Sequence, residues 1–199
     1  MNQYDVYLVG VGGQGVLTIG DILAEAALAA GIPVNFFPTK GMAQRGGFVK
    51  AQLRLGRKEV GPNITAKSAD LVIAMELSEA LKAVRFIKPG KDYVLFGHEW
   101  TPTAVMLGKA RYPTADQVLE QIRGAGANVH YLDPSKVPLF ARTPLPANIY
   151  TLGAVMGRTG LRALMDPSLI LGLLEKRWKK GAERNRRAFD AGMGTTCAP

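Results

Sequence analysis

Gly10, Gly12 and Gly15 stand at the spacing G-x-G-x-x-G, inside the run Gly10-Val11-Gly12-Gly13-Gln14-Gly15. The pattern follows an apolar, β-forming stretch, residues 4–9 (YDVYLV), and opens a helical one, the context in which such glycines carry chemistry. They let the backbone turn tightly and approach a guest closely. The free N–H groups of the helix start, at the positive end of the helix dipole, then face an anion. A phosphate is the usual guest. A dinucleotide site would add Asp or Glu at the end of the next strand, ~20 residues on, to hold a ribose. That strand ends in Phe36-Phe37-Pro38-Thr39-Lys40, with no carboxylate, although Lys40 would suit a 2′-phosphate. From spacing alone, the turn is either a phosphate or dinucleotide site or a tight strand-to-helix connection with nothing bound.

A second glycine-bearing segment, Gly41-Met42-Ala43-Gln44-Arg45-Gly46-Gly47, follows the second strand. In an open α/β sheet it belongs at the same carboxyl edge as the first. Arg45, with backbone free to come close, could grip a carboxylate or phosphate; the alternative is an exposed arginine on a loop. The candidate binding set is therefore Gly10, Gly12, Gly13, Gln14 and Gly15 with Gln44, Arg45, Gly46 and Gly47. Other residues assemble less. His130 lies inside an apolar strand and reads as structural. His98-Glu99 follows a strand end, but no second metal ligand is visible. No lysine follows the glycine turn as in a Walker motif, and no serine sits in a nucleophile elbow. No catalytic residue is assigned and no metal site is expected.

The elements that must position these loops follow from periodicity. Residues 16–30 carry Leu17, Ile19, Ile22, Leu23, Ala26, Ala27 and Ala30 at helical spacing and stop at Gly31. Residues 33–37 form a second strand, giving a βαβ unit whose crossover should be right-handed. Residues 48–55 (FVKAQLRL) alternate apolar and polar, which suits a half-exposed, antiparallel strand. Strands are expected at 70–75, 93–96 and 128–132, with helices at 76–84 and 115–125. Pro89-Gly90 marks a turn, and residues 134–146, rich in proline, read as extended or broken. Helices follow at 148–158 and from Asp166-Pro167-Ser168, the last running to Phe189 or Ala191 with a break near Gly181. The expected fold is α/β: a Rossmann-like, doubly wound, mostly parallel sheet with helices on both faces and a helical C-terminal segment. One domain spans 1–199, with 159–199 its helical extension.

Composition narrows the class. Hydrophobic residues make up 47% of the 199, enough for a sizeable core. No apolar run approaches the ~18–20 residues of a membrane span, and the polar start does not resemble a secretory signal, so a cytoplasmic location is expected. The single cysteine, Cys197, excludes a disulfide framework and an iron–sulfur cluster held by this chain alone. The net charge of +9 is concentrated at Lys176, Arg177, Lys179, Lys180, Arg184, Arg186 and Arg187. No aromatic interleaving accompanies that cluster, so a solvated face or an acidic partner subunit suits it better than nucleic acid.

Taken together, Gly10–Gly15, the segment 41–47 and Ala69-Asp-Leu-Val-Ile-Ala-Met-Glu76 resemble the gamma subunit or domain of 2-oxoacid:acceptor (ferredoxin) oxidoreductases, most of all the small (beta) subunit of the indolepyruvate:ferredoxin enzymes. Asn148-Ile-Tyr-Thr-Leu-Gly-Ala154 and Asn185-Arg-Arg-Ala-Phe-Asp-Ala-Gly192 resemble later landmarks of that family, so the likeness covers nearly the whole chain in order. It implies a non-redox subunit of an enzyme that oxidatively decarboxylates an aryl-2-oxoacid, such as indolepyruvate or phenylglyoxylate, to an acyl-CoA. Thiamine diphosphate with Mg, iron–sulfur clusters and coenzyme A are expected in the complex, with none bound by this chain alone. The implied partners are larger thiamine- and cluster-bearing subunits, with ferredoxin or another acceptor served indirectly. The chain alone would be inactive; its glycine loops would complete the active-site and coenzyme A region. Lys40 stands where the family commonly carries His, and Phe48 where a small residue commonly follows Arg-Gly-Gly. The alternative is a stand-alone Rossmann-type protein binding NADP or a flavin.

Overall fold

Strand β1 (Tyr4–Val11) is apolar on both faces because both are covered. Val6 and Leu8 enter one core and Tyr7 and Val9 the other. In a computed structural model, residues 3–40 and 46–194 are described. Arg45 and Gln44, and Cys197, lie outside the described residues. The elements that follow β1 are α1 (Val16–Ala29), β2 (Val34–Lys40), β3 (Phe48–Leu55), β4 (Ala69–Ala74), α2 (Leu77–Ala83), β5 (Ile87–Phe96), α3 (Thr103–Met106), α4 (Ala115–Gly124) and β6 (Asn128–Leu132). A small hairpin, β7 (Leu139–Phe140) and β8 (Thr143–Pro144), precedes α5 (Ala147–Arg158), α6 (Pro167–Arg177) and α7 (Ala182–Met193).

Six strands form one sheet in the order β2-β3-β1-β4-β5-β6. β1, β4, β5 and β6 are parallel, and β3 runs antiparallel to both β1 and β2. The α/β class and the mostly parallel sheet agree with the sequence pattern, and so does the antiparallel reading of 48–55. One relation differs: β2 runs in the direction of β1 but not beside it, because β3 inserts between them. Residues 48–55 alternate and can be half-exposed, yet Ala51, Leu53 and Leu55 are fully buried against α1, which seats β3 in the interior of the sheet.

α1, α5, α6 and α7 share one core across one face, and α2 and α4 the other. The expected turn at Pro89-Gly90 is a bulge inside β5. Gly90 takes φ 77° and its N–H bonds the Gly126 carbonyl, while the register against β4 shifts between Ala69 and Leu71. Proline cannot donate to a ladder and glycine accepts the left-handed conformation, so the chain kinks there without ending the strand. The last helical stretch is two helices, parted at Gly181 with φ 95°. Much of the basic cluster is engaged within the chain: Arg177 with Glu25, Arg186 with Glu175, Arg187 with Glu183, and Arg184 donating to the Pro144 carbonyl.

Candidate functional site at the carboxyl edge of the sheet

The glycine turn leaves β1 at the edge where β4 and β5 also end. Its conformation is held from inside by one side chain. Gln14 Oε1 accepts from the Val11 N–H at 2.9 Å, and Gln14 Nε2 donates to the Met75 carbonyl at 2.9 Å. Both ends of the amide are thus spent tying the turn to the ends of β1 and β4. Gly10 leaves room for this brace, since a Cβ there would lie 2.7 Å from both Gln14 Oε1 and Val16 Cγ2. Gly13, at φ 99°, is the exposed apex with no atom within 4 Å of an added Cβ. Replacing Gln14 with Ala leaves an N–H and a carbonyl without their partners, and a loss of about 1–3 kcal/mol in denaturant unfolding is expected. An unchanged midpoint would mean that the turn stands without its brace.

The second loop meets the first through backbone. Gly12 N–H donates to the Gly47 carbonyl at 2.8 Å, and Gly46 N–H to the Gly12 carbonyl at 3.4 Å. The sequence placed Gly46 and Gly47 near Gly12 by topology alone, and they are hydrogen-bonded to it. Behind the turn, two helices begin against each other. α1 starts from Gly15 at φ 76°, and a Cβ on Gly15 would lie 2.5 Å from Asn148 Nδ2, in the first turn of α5. Neither helix start has a side-chain cap or an acidic residue in its first turn. By contrast α2, α4 and α6 begin on Glu76, Thr114 and Asp166, whose side chains accept from their first turns. Two abutting helix starts without carboxylates add their positive ends at one place, where an anion is stabilised.

Beside the glycines lies a hub that periodicity did not single out. Glu76, fully buried, caps α2 through Oε2, which accepts from Glu79 N–H at 2.7 Å and from the Ser78 hydroxyl at 2.8 Å. Its Oε1 accepts from the Trp100 N–H at 3.1 Å and from the Tyr112 hydroxyl. Burial, together with the bond to Glu76 and its charge, holds the Tyr112 phenol well above the usual tyrosine range, so it stays a neutral donor. Trp100 in turn packs on Gly46. Glu76 closes one of the quoted motifs and Asn148 opens another, so the signal was present. Nothing local marked Trp100 or Tyr112. His98 serves through its carbonyl, which accepts from Leu77 N–H at 3.0 Å. His130 lies in β6 with Nε2 3.1 Å from Asp92 Oδ1. Phe48 lies under the Lys82 ammonium, 5.0 Å from the ring centroid. Among the described residues no group of three or more His, Cys, Asp or Glu could hold a metal ion, and no helix is long and apolar enough to cross a membrane.

Fold and edge together define a doubly wound α/β subunit that presents two uncapped helix starts beside a braced glycine turn at the ends of its parallel strands. The model of the family described as pyruvate ferredoxin/flavodoxin oxidoreductase matches residues 5–195, and the chain belongs to that family. It is a subunit of a 2-oxoacid:ferredoxin oxidoreductase. Indolepyruvate oxidoreductase subunit IorB of Archaeoglobus fulgidus is 35% identical over 155 residues, covering 78% of this chain and 77% of the relative. Among solved structures, pyruvate oxidoreductase subunit PORC of Thermotoga maritima superposes with a TM-score of 0.71 at 21% identity, covering 98% of this chain and 97% of that one. The 2-oxoglutarate:ferredoxin oxidoreductase of Magnetococcus marinus, solved with 2-oxoglutarate, coenzyme A and succinyl-CoA bound, superposes with a TM-score of 0.63 at 20% identity, covering 98% of this chain but 31% of that one. The same fold thus occurs both as a separate chain and inside a longer one.

Proposed function

We propose that this chain completes the active-site and coenzyme A region of a thiamine-diphosphate-dependent enzyme that oxidatively decarboxylates an aryl-2-oxoacid, such as indolepyruvate or phenylglyoxylate, to an acyl-CoA. The observation that carries the reading is the cradle: the Gly12–Gly47 pairing beside two abutting helix starts, uncapped by side chains and free of acidic residues. Coenzyme A carries phosphates, and the two uncapped helix starts beside that pairing suit phosphates. Gly10–Gly15 with Gln44–Gly47 would form one wall, with Arg45 gripping an anion bidentately. Thiamine diphosphate supplies the carbanion chemistry and iron–sulfur clusters take the electrons, both on larger partner subunits. One cysteine, Cys197, cannot provide the ~4 thiolates of a cluster. What this chain contributes is binding and orientation of the acyl acceptor. A stand-alone dinucleotide site fits less well, because β2 ends without the carboxylate that holds a ribose.

The test is Arg45→Ala in the assembled complex, purified with its partner chains. A KM for coenzyme A raised about tenfold or more, as expected for removing a bidentate charged contact, supports the reading; unchanged KM and turnover overturn it. Native co-purification followed by mass spectrometry checks the partner, expected to be a larger, cysteine-rich chain. Recovery of a lone monomer would remove the heteromeric reading.

A further inference from the structure

Trp100 is 42% exposed although it sits in the middle of the site's hydrogen-bond hub. A Cβ added to Gly46 would lie 2.7 Å from Trp100 Nε1 and 3.0 Å from both Cε2 and Cζ2. Those three consecutive atoms form the N–H edge of the indole, so Gly46 abuts the rim of the ring and does not cover a face. The N–H edge of the ring is therefore set against glycine backbone, and the ring retains a large accessible surface. Only glycine permits this approach, and Gly46 itself bonds the Gly12 carbonyl. The backbone of Trp100 is pinned by the buried Glu76 carboxylate, which Tyr112 also donates to. Among the described residues the indole N–H has no acceptor. A rigid aromatic surface, anchored at its backbone and adjoining a phosphate cradle, is how proteins hold a nucleobase, since every base has a π-face.

We propose that Trp100 is the ring-recognition residue of this site, stacking on the adenine of the nucleotide-bearing acyl acceptor while the glycine cradle holds its phosphates. The inference rests on the coenzyme A reading above and deepens it: the same site gains a subsite for the base. Glu76 is a positioning residue, acting through Trp100 and Tyr112. No side chain in this subsite takes part in bond making or breaking.

The experiment uses the assembled complex with Trp100→Ala and Trp100→Phe, and compares coenzyme A with pantetheine, which lacks adenine and phosphates. Trp100→Ala is expected to raise the KM for coenzyme A about tenfold, the size of one lost base–aromatic stack, with kcat within about twofold. Trp100→Phe should recover most of the loss, and the KM for pantetheine should not move. A second readout is the emission of Trp100, taken as the difference between wild-type and Trp100→Phe complexes; coenzyme A and adenosine 3′,5′-bisphosphate should quench it, and pantetheine should not. Coenzyme A and pantetheine KM rising together, or neither changing, overturns the assignment. A change confined to the KM for the oxoacid also overturns it, by moving Trp100 to the oxoacid's own ring. If the wild-type complex neither uses nor binds coenzyme A, the functional reading fails first, which the wild-type controls show without any variant.

Discussion

Gly192→Ala is expected to lower the melting temperature by about 6–12 °C, from a loss of about 3 kcal/mol on a chain of this length. The reason lies in how α5 and α7 touch. A Cβ on Gly192 would overlap the Tyr150 carbonyl oxygen and lie 2.9 Å from the Ala154 N. A Cβ on Gly153 would overlap the Phe189 carbonyl oxygen, and one on Gly157 would lie 2.6 Å from the Met193 oxygen. The two helices therefore meet backbone to backbone, at a separation that only hydrogen at Cα allows. Any side chain must push them apart and open the core around Phe189, which is fully buried. Glycine costs a helix about 1 kcal/mol relative to alanine, so at an open position the same change should help. Gly172 in α6 is that position: nothing lies within 4 Å of an added Cβ. Gly172→Ala should raise the melting temperature by about 2–4 °C. Calorimetry on both variants checks the sign as well as the size; equal shifts would show that propensity, not the helix contact, governs Gly192.

Asp5→Ala should cost about 3–5 kcal/mol, because it strands two guanidinium groups. Asp5, 2% exposed, takes Arg54 as a fork, with Nε to Oδ1 at 3.0 Å and Nη2 to Oδ2 at 2.9 Å, and takes Arg57 Nη1 at 2.5 Å. Arg54 also donates to the Gly61 and Asn63 carbonyls, so the cluster ties β1 and β3 to the segment leading into β4. Exposed pairs are worth little, but here the side chains of Arg54 and Arg57 keep only 13% and 21% of their exposure and Asp5 keeps 3%. The loss of the acid leaves their charges with little water to replace it. Denaturant unfolding of Asp5→Ala measures the effect. A cost below about 1 kcal/mol, the size for a surface pair, would mean that water reaches the arginines freely once Asp5 is gone. The cluster sits near the amino end of β1, away from the glycine turn, so its loss tests the sheet and not the binding edge.

Both predictions concern residues whose importance the sequence showed only faintly. Gly153 and Gly192 fall inside segments that resemble family landmarks, and their role there is helix docking. Asp5 opens an apolar strand and would pass for a solvated end. In each case the partner lies far along the chain, and its position depends on how the elements pack.

What the sequence determined by itself is local. A β-forming run ending at Gly10, a helical period from Val16 and a stop at Gly31 specify strand, turn and helix through interactions a few residues long. The same holds for the alternation of 48–55 and for Asp166-Pro167 at the start of α6. Those signals were enough for the α/β class, the glycine turn at a strand's carboxyl end, and the second glycine loop beside it. Only the tertiary structure decided that β3 inserts between β1 and β2, since both edges of a twisted sheet satisfy an alternating strand and burial against α1 makes the choice. It also decided that Gln14 is spent bracing the turn, that α1 and α5 begin against each other, and that Glu76 draws in Trp100 and Tyr112 from 24 and 36 residues away. Each is a contact between groups that no periodicity relates, fixed by the packing of whole elements on a common sheet edge. The place of the glycine turn was therefore legible from its spacing, while the groups that brace and surround it belong to the fold.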